Sequence, residues 1–130
     1  MEQIYTIPIN EAFEATAADP TLGCPLCLLR QQEEERELDL IMGASMMEPD
    51  IRIKTNREGF CGRHFRMMYA RRNRLGLALM LESHLDEIRR TLEEPALLRK
   101  SGLAAAGPLK ALAELENSCY VCGRMQQTLS

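Results

Sequence analysis

A chain of 130 residues with 45% apolar and 27% charged residues is too apolar for global disorder and has the length of one domain. Three Tyr, three Phe and no Trp, set against eight Met, favour packed helices over a sheet. Met1 to Tyr5 lack a basic leader and no apolar run nears the ~18 residues of a membrane span, so the chain reads as cytoplasmic with no membrane partner. In such a reducing compartment, five cysteines point to metal ligands or redox thiols instead of disulfides. The net charge of −3 is unevenly spread: residues 33–39 are acidic and residues 52–74 are rich in arginine.

Residues 3–9 read as a short extended segment, because Tyr5, Ile7 and Ile9 alternate and Pro8 confines a strand to an edge. Asn10 then caps a short helix over Glu11 to Ala18, with Ala12, Phe13 and Ala17 facing inward until Asp19-Pro20 ends it. Cys24-Pro25-Leu26-Cys27 follows, with Pro25 at the first position of a helix running to about Met42. Leu28 and Leu29 are apolar at one end and Leu38, Ile41 and Met42 at the other, whereas the centre, Arg30 to Glu37, is polar. With no Glu-x-x-His of the di-iron kind, Glu33, Glu34 and Glu37 read as a solvated face.

Gly43 stops this helix, and Pro49 opens another through Ile51 and Ile53 that fails near Asn56 to Gly59. Phe60-Cys61-Gly62-Arg63-His64-Phe65 leads into the longest helical pattern, ending near Glu94. Leu77, Leu81, Leu85, Ile88 and Leu92 form its apolar face. His84 sits beside that stripe and reads as a partly buried helix histidine. Pro95 breaks the helix, Ala96 to Lys100 forms a short piece, and Gly107-Pro108 opens a helix over Leu109 to Glu116. The final stretch echoes an earlier one: Cys119 falls on Cys24, Cys122 on Cys27, and Gln126-Gln127 on Gln31-Gln32. Residues 1–118 therefore read as a helical metal-binding domain and residues 119–130 as the start of a second unit cut short.

Every cysteine and one of the two histidines fall into pairs with two intervening residues. Cys24 and Cys27 with Cys61 and His64 make a tetrahedral set for structural Zn²⁺, because this spacing turns both side chains of a pair inward. Residues 28–60 separate the pairs, a long loop, but closure entropy grows only logarithmically with length. Cys119 and Cys122 stay open to three readings. They are half of a second site completed elsewhere, or partners of Cys24 and Cys27 in place of Cys61 and His64, or free thiols.

No nucleophile, base and orienting group stand together, so the primary reading is a non-catalytic module that binds a protein partner or itself. One alternative is a thiol-disulfide redox protein or sensor using Cys24 and Cys27, although no βαβ pattern surrounds them. Another is a nucleic-acid-binding module using Arg66, Arg71 and Arg72 of the basic stretch, which is equally suited to pair with the acidic helix centre.

Cys24, Pro25, Cys27, Phe60, Cys61 and His64, with Cys119 and Cys122 opening a second copy, resemble an uncharacterised bacterial family of Firmicutes-type genomes. In it Cys-Pro-x-Cys is followed by Phe-Cys-x-x-His and the pair recurs. The resemblance covers residues 24–130 and implies the ligand set but no activity. The expected architecture is all-α, a small helical bundle stapled by a Cys/His metal site.

Overall fold

Proline and glycine punctuation sets the helix limits in the computed structural model, which describes residues 6–93 and 102–129 and, within the last two helices, side chains of residues 107–128. Among the described residues the chain is all-α. The helices are α1 (Ile7–Ala18), α2 (Pro25–Ile41), α3 (Pro49–Glu58), α4 (Gly62–Ala70), α5 (Arg74–Leu92), α6 (Gly102–Leu115) and α7 (Tyr120–Leu129). Pro25 and Pro49 open α2 and α3, where a missing N–H costs no helical hydrogen bond. Short 3₁₀ turns at Pro20–Leu22 and Ala44–Met47 join α1 to α2 and α2 to α3. No described helix is long and apolar enough to cross a membrane.

α1 begins earlier than the sequence pattern indicates. Ile7, Pro8 and Ile9 of the expected extended segment are helical instead, with Pro8 tolerated in the first turn, and residues 3–5 of it lie outside the described residues. Of its expected inward positions only Ala12 is buried, while Phe13 is half exposed.

Leu38, Ile41 and Met42 of α2 meet Met68 of α4, Leu77 and Met80 of α5, and Tyr120, Val121 and Met125 of α7 in one core. The segment expected to open a second unit thus packs into the centre of this one. α1 and α7 lie against α2, and α3 lies against α5.

The long helix expected from Phe60 to Glu94 is two. Arg71 turns extended after α4, and Asn73 caps α5 by accepting from the Gly76 N–H at 3.0 Å. The Asn73 side-chain amide also donates to the Met42 carbonyl at 2.6 Å, tying the start of α5 to the end of α2. The break lets α4 and α5 meet the core from separate directions. Leu85 and Leu92, placed on the apolar face by periodicity, are 60% and 53% exposed. Gly107-Pro108 lies inside α6, which starts at Gly102. The Ala96 to Lys100 piece lies outside the described residues.

One glycine joins the scaffold to the cysteine region. Gly59 has φ 68° and ψ −159°, backbone that only glycine adopts readily, and an added Cβ would meet the His84 ring at 2.7 Å. His84 Nδ1 donates to the Asn56 carbonyl at 2.7 Å, so this histidine is the partly buried helix residue expected. The Gly59 carbonyl accepts from the Tyr120 N–H at 2.9 Å, fixing the start of α7 beside the start of α4.

Candidate metal centre

Two helix starts converge at that junction. Cys61 is the N-cap of α4 and Cys119 immediately precedes α7, so in each pair the third residue on, His64 or Cys122, lies one turn into a helix. Peptide N–H groups unpaired at helix starts favour anionic sulfur there. Val121 at the start of α7 and Met68 in the last turn of α4, both fully buried, anchor the two helices in the core.

The ligand atoms of Cys61, His64, Cys119 and Cys122 all lie within 4.8 Å of one another. His64 Nδ1 is 3.1 Å from Cys61 Sγ and 3.4 Å from the sulfurs of both Cys119 and Cys122. The Cys61 and Cys122 sulfurs stand 3.9 Å apart. Tetrahedral bonds of about 2.3 Å to sulfur and about 2.0 Å to nitrogen set S–S near 3.8 Å and S–N near 3.5 Å. The group therefore fits one tetrahedral ion with little movement, and four protein donors leave no open position.

Glu34 supports the imidazole from behind. Its Oε1 is 2.7 Å from His64 Nε2. A carboxylate only accepts, so Nε2 carries the proton and the Nδ1 lone pair faces the sulfurs. Arg63 Nε and Nη2 donate to the two Glu34 oxygens at 3.1 and 3.0 Å, a bidentate clamp from solvent onto a buried carboxylate. Burial alone would raise the Glu34 pKa, but the Arg63 and His64 hydrogen bonds outweigh it and hold the carboxyl below its usual range.

The thiols are unequal without a cation. Burial opposes ionisation of Cys61, yet the His64 peptide N–H and hydrogen bonds to Cys119 and Cys122 hold it below the ordinary thiol value. Cys122 is pushed up to about 12, by burial first and then by its hydrogen bond to, and the charge of, Cys119. Three thiolates at this spacing repel one another, and a divalent cation at the centre removes that repulsion.

The structure thus brings Cys61 and His64 together with Cys119 and Cys122, an arrangement outside all three readings open for the last pair. Cys24 and Cys27 do not join the group. They are exposed at the start of α2, and the side of α2 that reaches the centre is Glu34. The solvated face expected for Glu34 and Glu37 is corrected, since they are only 5% and 3% exposed. Glu34, Leu38 and Ile41 recur at steps of 4 and 3, a spacing that could have signalled the buried carboxylate. Glu37 has Arg124 at 3.7 Å. In the basic stretch, Arg71 pairs with Glu35 and Asp39 of α2, while Arg66 and Arg72 are exposed.

No curated protein and no solved structure gives a match. A family model described as a family of unknown function, DUF6062, matches residues 1–130, and the chain belongs to that family.

Proposed function

We propose that the chain is a non-catalytic helical module stapled by structural Zn²⁺, held by Cys61, His64, Cys119 and Cys122, and that it serves as a binding or scaffold unit in a reducing compartment. The observation carrying this reading is the convergence of three thiols and His64 Nδ1 with His64 Nε2 held by a buried carboxylate. A borderline-soft d¹⁰ ion suits an S₃N donor set, and a filled tetrahedron favours a structural over a catalytic role.

When bound, the ion would cross-link the starts of α4 and α7. The chain's own part is preparatory: Gly59 and Tyr120 set the two starts side by side, Arg63 holds Glu34, and Glu34 holds the imidazole.

Because such a cross-link is folding free energy, removing the ion with a strong chelator should abolish much of the helical circular dichroism, and one equivalent of Zn²⁺ should restore it. An unchanged spectrum and melt after proven removal of the metal would contradict the proposal.

A further inference from the structure

Cys24 and Cys27 remain unexplained by that centre. Both are exposed, yet they are built like the pair that is used. Cys24 is the N-cap of the 17-residue α2, as Cys119 stands before the 10-residue α7. In the used pair the Cys122 N–H approaches Cys119 Sγ at 3.5 Å. In the other, Cys27 likewise lies in the first turn of its helix, three residues after Cys24. Pro25 contributes no N–H of its own and fixes the first helical residue. The turn delivering the pair is set by Gly23 at φ 82° and by Asp19, which accepts from the Thr21 N–H at 3.0 Å.

We propose that Cys24 and Cys27 are half of a second site for a thiophilic divalent cation, completed by the same two thiols of a second copy of this chain. This inference uses residues separate from the Cys61 centre, so either can fail alone.

Soft donors decide the partner. Among the described residues four soft donors converge at the first centre, no third ligand-type side chain gathers with Cys24 and Cys27, and His84 Nδ1 is bonded to the Asn56 carbonyl. Two copies supply the four thiolates that a closed tetrahedral site requires. Four thiols release four protons to solvent and no electrons move. The resulting tetrathiolate carries a charge of −2 around a divalent ion, and Arg30, which lines the same surface cleft as Cys27, stands beside each pair to offset it. Leu22 and Leu26, 47% and 65% exposed, flank the thiols as an apolar rim for a second copy to cover.

The test uses the full chain, reduced and purified with its first ion in place. Zn²⁺ is added while mass is followed by sedimentation equilibrium and thiol accessibility by alkylation mass spectrometry. The expected result is conversion from the 14.7 kDa monomer to a dimer at about half an equivalent of added Zn²⁺, with Cys24 and Cys27 protected from alkylation. A chelator too weak to take the first ion should reverse it, and the Cys24→Ser/Cys27→Ser variant, with unchanged helicity, should stay monomeric. Any of these results would overturn the proposal: a monomer with freely alkylated Cys24 and Cys27 at saturating Zn²⁺, a second ion bound by the monomer, or a dimer that persists in the double variant. Ready formation of a Cys24–Cys27 disulfide by exchange with a small disulfide, with Zn²⁺ giving no protection, would overturn it in favour of a redox dithiol.

Discussion

At Glu34, a carboxylate lies on the same face of α2 as Leu38 and Ile41 and is 5% exposed. A buried charge on an apolar stripe needs partners, and Arg63 and His64 supply them. If Glu34 orients the metal-facing nitrogen, Glu34→Gln should weaken metal affinity by roughly 10- to 100-fold while the helices remain. Competition against a chromophoric chelator measures it, and an unchanged affinity would mean that the contact only packs. The neighbouring thiols make a second prediction. Cys122, pushed up to about 12, keeps its proton at neutral pH, so the ion must displace it. Protons compete with metal, and apparent affinity should fall at least about tenfold for each pH unit lost between about pH 8 and pH 6. A flat profile would show that the thiols ionise independently of the metal. The x2 spacing made these thiols legible in the sequence. Glu34 was hidden because polar residues surround it and its partners lie about thirty positions away.

The helices follow local signals where those signals are strong. Pro25 and Gly43 bracket α2, and Pro49 and Gly59 bracket α3, as read from the sequence. The split between α4 and α5 was not legible, because Arg71-Arg72-Asn73 contains no Gly or Pro. Its cause is tertiary, namely the Asn73 bond to the Met42 carbonyl. α7 presents the same contrast. As a short terminal piece with an echoed motif it resembled the start of another unit, yet Tyr120, Val121 and Met125 sit in the core. Fully burying each such side chain stabilises the fold by roughly 1.5–3 kcal/mol. Residues 1–118 alone should therefore lose cooperative melting by circular dichroism, for want of those side chains and of two of the four proposed ligands. A sharp melt near that of the whole chain would contradict the placement of α7.

Across the whole molecule, the sequence made the ligand types and the all-α class readable but not which pairs meet. Spacing within a pair is local and survives in the sequence, whereas pairing depends on how α4 and α7 lie against α2. A hydrogen bond from Tyr120 to Gly59 and the side chains buried around it decide the matter, and no single-residue pattern carries that information. The most direct measurement is metal content per chain across two double variants. Cys24→Ser/Cys27→Ser should retain about one zinc per chain, and Cys119→Ser/Cys122→Ser should lose that strongly held ion. Retention of a tightly held zinc in the Cys119→Ser/Cys122→Ser variant, with loss in the Cys24→Ser/Cys27→Ser variant, would contradict the ligand set and return Cys24 and Cys27 to the centre.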